Sequence, residues 1–451
     1  MDTICALATA PGGALGIIRI SGSKALEILS RVFSKDLTTA EANTIHYGHI
    51  VEYDAAQHQN IIDEVLVSVF RAPHSYTSED SAEISCHGSR YILNKVLELL
   101  IQHGCRMAGP GEFTQRAYLN GKMDLSQAEA VADLIASSNK ATHDIAMSQL
   151  RGHFSSQLSQ LREQLLKLTS LLELELDFSD HEDLEFADRS ELQELTKKIY
   201  NHITKLASSF ETGQTLKQGI PVAIVGKTNV GKSTLLNRLL KDDRAIVSDI
   251  HGTTRDTIED TMELQGITFR FIDTAGIRQT TDEVEQIGIE RTYQAIQKAR
   301  IVLWIIDSTP STEEISIIQQ LTENKKLIII NNKIDKGSNN GYDLSNLSTI
   351  PISAKFGTGI GALEQAIYQA ADIPTLSDTD VIVTNARHYH ALVRAQQSIQ
   401  RVIDGLELQL SGDLLSEDLH QALDTLAEIT GGHITPNEVL GNIFNNFCVG
   451  K

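Results

Sequence analysis

The sequence predicts a multidomain fold of mixed class, α+β and α/β. It reads as an N-terminal α/β unit, a helical domain, and a doubly wound α/β unit inserted into that helical domain. Three observations carry this reading. Between residues 217 and 376, strand-like and helix-like stretches alternate, as a parallel sheet covered by helices on both faces requires. Helical patterns stand on both sides of that region, so the simplest arrangement inserts it at a surface loop of one helical domain. The first 120 residues mix β-branched runs with amphipathic ones.

Taken in order, residues 1–120 give strand-like runs at Gly16–Ile20, Thr44–Val51 and Glu64–Phe70, and helix-like runs at Lys24–Phe33 and Arg90–His103. Gly109-Pro-Gly111 punctuates the end of this unit. The first helical part spans residues 121–216, where Leu158, Leu161, Leu165, Leu168 and Leu172 repeat along one helix face, a packing stripe. The acidic run Asp177–Glu185 should end that helix as a solvated turn. The inserted unit runs over 217–376 and exits at Pro374 and Ser377–Asp380. The second helical part, 377–451, carries helical patterns at Arg387–Leu406 and Ser416–Thr430.

Five short runs inside the inserted unit define its chemistry. Gly226-Lys-Thr-Asn-Val-Gly-Lys-Ser233 follows the strand-like Val222–Val225 and opens the helix-like Ser233–Leu240, the context a phosphate loop needs. Asn229, Val230, Gly231, Lys232, Ser233 and Thr234 should line the phosphates. Backbone N–H groups cradle the oxygens, the helix start adds its dipole, Lys232 neutralises the β- and γ-phosphates, and Ser233 ligates Mg2+. Ser248, Asp249, Ile250, His251, Gly252, Thr253 and Thr254 form a loop before the strand around Glu263–Ile272. Thr254 is its expected Mg2+ ligand, ordered by the triphosphate and released after hydrolysis. Asp273, Thr274, Ala275 and Gly276 follow the strand Phe269–Asp273, with Asp273 holding Mg2+ through water and the Gly276 N–H sensing the γ-phosphate.

Asn332, Lys333 and Asp335 close the strand Leu327–Asn332 and narrow the base to guanine. A carboxylate accepts from both N1–H and the exocyclic amine, a donor pair adenine lacks. Ser353, Ala354 and Lys355 supply a backbone N–H to the guanine carbonyl. Position 277, after Asp-x-x-Gly, is Ile rather than the water-orienting Gln of many small GTPases. Catalysis must then borrow a polar group, and Arg278, Glu283 and Glu285 are at hand, each equally readable as part of a solvated acidic loop. Asn229 can place a carbonyl oxygen beside the β–γ bridge, where a monovalent cation could sit.

Composition sets the outer bounds. A length of 451 residues suits two to four domains. No apolar run reaches bilayer length, and the N-terminus lacks a basic leader, which points to the cytoplasm. Cys5, Cys86, Cys105 and Cys448 are scattered, arguing against a disulfide framework or a zinc site. A net charge of −20 argues against a broad basic nucleic-acid surface.

Runs that reach beyond the nucleotide motifs carry a resemblance. Gly12–Gly22, Gly109–Ala130, Asp273–Arg291 and the terminal Cys448-Val-Gly-Lys451 closely resemble the MnmE (TrmE) family of tRNA-modification GTPases, over essentially the whole chain. The resemblance implies an N-terminal domain similar to the folate-binding aminomethyltransferase fold, which dimerises the protein. It implies an FAD-dependent partner, MnmG, in a heterotetramer or larger. With it, the family adds a carboxymethylaminomethyl or aminomethyl group to C5 of the tRNA wobble uridine. The one-carbon donor is 5-formyl- or 5,10-methylene-tetrahydrofolate. It implies GTPase activation by pairing of two G domains around K+, with ligands mapping onto Asn229, Ser248, Ile250 and Thr253. It places the water-orienting Glu at Glu285 and the Arg of that segment at Arg278. Folate contacts map onto Arg19, Glu83, Lys122 and Lys451, with Arg and Lys suited to the folate carboxylates and Glu83 to the pterin donor edge. Cys448 is the family's suggestion for the modification chemistry, with Lys451 near enough to lower its pKa.

Two other readings compete. A ribosome-assembly GTPase of the Era or Der type predicts a basic RNA-binding appendage or a second G domain, and neither is legible. A free-standing folate-dependent transferase predicts activity without GTP.

Overall fold

A computed structural model describes residues 2–53, 58–177, 189–242, 260–272, 293–336, 348–373, 380–432, 440, 443–444, 447 and 450. The chain divides into two compact units. One comprises Met1–Ala136, Ala146–Lys205 and Arg387–Lys451, and the other Ser137–Ile145 and Leu206–Ala386.

The first unit opens on a six-stranded sheet built from β1 (Ile4–Leu7), β2 (Leu15–Ser21), β3 (Thr44–Tyr53), β4 (Gln59–Phe70), β5 (Ser81–His87) and β6 (Arg106–Met107), in the order β3-β4-β5-β2-β1-β6. Only β1 and β6 pair in parallel. One sheet face carries Ile18, Ile20, Val65, Val67 and Ile84 into a core shared with the helices Ala25–Val32 and Arg90–Gln102. Strand β4 begins five residues before the apolar run that predicts it, because its pairing with β3 continues past a register shift at Ile50/Val51. The short helix Glu112–Leu119 is fixed by Arg116, 3% exposed, which reaches Asp2 at 2.7 Å, Glu112 at 3.0 Å and Glu79 at 3.2 Å. An arginine so deeply buried is tolerated only because carboxylates surround it.

The helical part of this unit packs Gly412–Thr430 against His153–Asp177. All five leucines of the predicted stripe, Leu158 to Leu172, are at most 3% exposed. Where Ala386–Glu407 starts, His388 Nε2 donates to the Glu129 carboxylate at 2.6 Å, and Arg387 forks onto both Glu129 oxygens at 3.0 and 2.8 Å. Burial alone would raise the Glu129 carboxyl, but hydrogen bonds and charge from His388 and Arg387 outweigh it and hold the value at about 2, against an ordinary 4.5. The folded value lies below the unfolded one, so this stabilisation is complete above the ordinary carboxyl range and is lost as pH falls towards 2. The drop corresponds to as much as ~3 kcal/mol. Glu129→Gln should therefore flatten the acid limb of a thermal-melting profile taken from pH 7 to pH 3; an acid limb as steep as the wild type's would refute this.

The second unit is a six-stranded sheet of β7 (Ile220–Val225), β8 (Asp260–Leu264), β9 (Ile267–Phe271), β10 (Ile301–Ile306), β11 (Lys326–Asn331) and β12 (Thr349–Pro351), ordered β12-β11-β10-β7-β9-β8. All pairs are parallel except the β8–β9 edge. Strand β10 is buried at every position, as a central strand covered on both faces must be. The expected single strand around Glu263–Ile272 is instead the β8–β9 hairpin, turning at Gln265 (φ 50°) and Gly266 (φ 82°). Both turn residues are left-handed, the requirement of a tight two-residue hairpin. Ser137–Ile145 belongs to this unit, through Asn139 Nδ2 donating to Thr268 Oγ1 at 2.7 Å and Ala141 N–H to Gly266 O at 3.0 Å.

Candidate guanine-nucleotide site

The described part of the site sits at the carboxyl ends of β7, β11 and β12, where a doubly wound sheet binds its ligands. The loop after β7 turns at Gly226 (φ 149°) and Gly231 (φ 104°), and the helix Lys232–Asp242 starts directly behind it. Both glycines are obligatory for space as well. A Cβ on Gly226 would meet Ile305 O at 2.4 Å, and one on Gly231 would meet Asn332 Nδ2 at 2.3 Å. Lys232 folds its ammonium onto the loop, donating to Gly226 O at 2.6 Å and Lys227 O at 2.7 Å, and burial lowers its pKa. A half-buried ammonium beside a glycine-turned loop and a helix start fits a polyphosphate. Val230 is buried beneath the loop, while Ser233 at the first helical turn is half-buried and Thr234 exposed.

Asn229 holds φ 62°, a left-handed conformation that Asn tolerates better than most residues. Its backbone carbonyl accepts from Lys333 Nζ at 2.7 Å, and Lys333 also pairs with Asp307 at 2.6 Å. Among the described residues, no hydrogen bond engages the Asn229 side chain, so its amide oxygen is available to a ligand.

The loops expected to read the base are tied to this cradle by Asn332. It is 5% exposed, donates from Nδ2 to Val230 O at 2.7 Å, and accepts from Ala354 N–H at 3.0 Å. One side chain thus locks the phosphate loop to the Ser353–Lys355 loop. Asn332→Ala would leave a buried carbonyl and a buried N–H without partners, at about 1–3 kcal/mol each. Its Kd for GDP, read from fluorescent-nucleotide titration, should rise roughly tenfold or more; a change under about twofold would mean that the clamp is irrelevant to binding. Asp335 accepts from Ser353 Oγ at 2.6 Å, a hydrogen bond that lowers its pKa and keeps it ionised. Lys355 lies over the Phe356 ring at 5.1 Å, and its carbonyl accepts from Arg238 at 2.8 Å.

Ser248, Asp249, Ile250, His251, Gly252, Thr253 and Thr254 lie outside the described residues, as do Asp273, Thr274, Ala275, Gly276, Arg278, Glu283, Glu285, Cys448 and Lys451.

In the first unit, Arg19 and Glu83 face each other across β2 and β5 and pair at 2.7 Å. The Arg19 guanidinium also donates to Gly450 O at 3.2 Å and lies 5.4 Å from the Tyr76 ring and 5.6 Å from the Phe113 ring. Arg19, Glu83, Tyr76 and Thr77 line one open cavity. The structure therefore brings Gly450 to the predicted folate pair. Lys122 stands apart from that lining, exposed on the turn after Glu112–Leu119. The pairing was not legible locally, since 64 residues separate Arg19 from Glu83 and only the β2–β5 register joins them.

A phosphate cradle joined to a guanine-type reading loop on a doubly wound sheet defines a P-loop GTPase. Residues 125–448 match the MnmE helical domain family model, and residues 3–122 match the model described as GTP-binding protein TrmE N-terminus. The chain belongs to the MnmE family of tRNA modification GTPases, and it is a GTP hydrolase. The tRNA modification GTPase MnmE of Phocaeicola vulgatus is 55% identical, covering 100% of this chain and 99% of its own; that of Bacteroides fragilis is 54% identical over the same shares. Among solved structures, the G domain of the T. maritima FeoB iron transporter is 24% identical, covers 34% of this chain and 99% of its own, and superposes with a TM-score of 0.26. Among the described residues, no helix is long and apolar enough to cross a membrane.

Proposed function

We propose that this protein is a cytoplasmic, K+-activated GTPase that acts with the FAD-dependent partner MnmG on the wobble uridine of tRNA. It adds a carboxymethylaminomethyl or aminomethyl group at C5, with a one-carbon tetrahydrofolate as carbon donor. It works as a homodimer joined through its N-terminal domain, in a heterotetramer or larger with MnmG. The observation that carries the reading is a double one. One unit holds a guanine-nucleotide cradle, and the other holds the Arg19–Glu83 pair, met by the Gly450 carbonyl at an open cavity.

In the GTPase unit, Lys232 and the loop amides bind the β- and γ-phosphates, and Asp335 reads the base. Ser233 and Thr254 are the residues for Mg2+. Asn229, Ser248, Ile250 and Thr253 are those for K+, whose charge would offset that developing at the β–γ bridge. Glu285 orients the attacking water, and Arg278 lies in the same segment. In the N-terminal unit, the 2.7 Å ion pair supports a reading in which Arg19 and Glu83 serve the same end of a folate. Glu83 accepts from the pterin donor edge while Arg19 fixes its orientation. That leaves Lys122 and Lys451 for the carboxylates, rather than Arg19 as the residue types alone suggest. Cys448 is the thiol proposed for the modification step.

The test is the wobble-uridine content of tRNA, by mass spectrometry, in cells whose only copy is Glu83→Gln or Lys232→Ala. Both variants should lose the modification. Retention in Lys232→Ala would favour a transferase independent of GTP, and retention in both would favour a ribosome-assembly GTPase.

A further inference from the structure

The Ser353–Lys355 loop is expected to give a backbone N–H to the guanine carbonyl, and the bonds inside the loop single out which one. Ser353 N–H donates to Thr358 O at 2.9 Å, and Gly357 N–H to Ser353 O at 2.8 Å. Ala354 N–H donates to Asn332 Oδ1 at 3.0 Å, and Phe356 N–H to Ser353 Oγ at 3.4 Å. Among the described residues, no hydrogen bond engages the Lys355 N–H. Ala354 is 3% exposed, whereas Lys355 lies at the surface. A backbone donor needs a partner, and for this one water or a ligand is left.

The peptides on both sides of that N–H are held. Asn332 takes the one before it, through Ala354 N–H. Arg238, on the helix Lys232–Asp242, takes the one after it, donating from Nη2 to Lys355 O at 2.8 Å. Gly357 leaves room for the guanidinium, since a Cβ there would lie 3.6 Å from Arg238 Cζ. Among the described residues, this is the sole hydrogen bond of Arg238, and no carboxylate pairs with it. A guanidinium given over to one neutral carbonyl makes a charge-assisted bond, stronger than a neutral donor would supply.

We infer that Arg238 is a positioning residue for guanine recognition. By gripping the Lys355 carbonyl it sets the Lys355 N–H, rather than that of Ala354, against the 6-carbonyl oxygen of the base. The inference deepens the guanine reading of this site and rests on it. An amino group at the 6-position, as in adenine, would oppose a donor with a donor. This contact therefore discriminates independently of Asp335.

The experiment is competition of GDP, IDP and 6-thio-GDP against a fluorescent GDP analogue on the full-length protein. IDP lacks the exocyclic amine and reports on Asp335. 6-thio-GDP keeps both donors of the base and puts sulfur, a weak acceptor, in place of the carbonyl oxygen, so it reports on the loop N–H. Wild type should bind GDP more tightly than either. Arg238→Met should weaken GDP roughly three- to tenfold and lower the preference over 6-thio-GDP by a similar factor. Its preference over IDP should stay within about 1.5-fold of wild type. Arg238→Lys, still a cationic donor, should recover much of the lost preference. If Arg238→Met fails to fold, Arg238→Gln, shorter and neutral, takes its place. Lys355→Pro deletes the N–H itself, and an undiminished preference over 6-thio-GDP in that variant, folded, would return the role to Ala354. A fall of both preferences together in Arg238→Met marks a loosened fold and overturns the positioning role, as does a preference over 6-thio-GDP within about 1.5-fold of wild type. A wild type that separates GDP from IDP but not from 6-thio-GDP overturns the loop contact and leaves Asp335 standing. A wild type that separates GDP from neither overturns the guanine reading itself.

Discussion

Asp335→Asn should lower the affinity for GTP by roughly three to four orders of magnitude, the scale reached when a site built around a substrate's hydrogen-bond donors loses the match. The wild-type carboxylate is held by Ser353 Oγ at 2.6 Å and kept ionised by it, so both of its oxygens are acceptors only. The amide substituted there turns one acceptor into a donor and opposes a guanine N–H with another N–H. Xanthine, with a carbonyl in place of the exocyclic amine, would satisfy that donor. Competition titrations with GTP and XTP should therefore show a reversal of preference, not a general loss. Retention of GTP binding within about tenfold would mean that Asp335 is not the base reader. Ser353→Ala provides a graded control. It removes the aiming hydrogen bond but leaves the charge, and should cost about tenfold at most.

Much of this architecture was legible because its determinants are local. The phosphate loop needs glycines at fixed offsets, and Gly226 and Gly231 take the positive φ that only such residues accept readily. The leucine stripe from Leu158 to Leu172 announces its buried face by period alone. The unread features are those that depend on distant partners or on turn chemistry outside the usual vocabulary. Gln265-Gly266 makes a hairpin without the Asn-Gly or Asp-Gly that flags one, so β8 and β9 read as a single strand. Ser137–Ile145 joins the GTPase unit by Asn139–Thr268, a contact 129 residues apart that leaves no periodic trace. Asn332 reads from sequence as a base-site residue, and the structure adds a role that the sequence does not announce, since its amide bridges Val230 and Ala354. Arg19 and Glu83 each look like ordinary surface charges until the β2–β5 register sets them opposite one another.

GTP turnover in K+ should exceed that in Na+ at equal ionic strength by roughly 10- to 1000-fold, the range expected for one electrostatic contact made in the transition state. That advantage should disappear in Asn229→Gly. The choice of glycine matters. Asn229 sits at φ 62°, so alanine would add about 1–2 kcal/mol of backbone strain and disturb the phosphate loop along with the cation site. Glycine keeps the conformation and removes only the amide that no described residue engages. It also preserves the backbone carbonyl that accepts from Lys333 at 2.7 Å, so the link to the base-reading loop survives. GDP affinity of Asn229→Gly should accordingly stay within a few-fold of wild type while the K+ response is lost, whereas Asn229→Ala should lose both. The split between these variants separates a cation ligand from a residue that merely shapes the loop. If Asn229→Gly hydrolyses GTP faster in K+ than in Na+ by the wild-type factor, the side chain is no ligand. The neutralising charge at the β–γ bridge must then come from elsewhere, with Arg278 the first residue to replace.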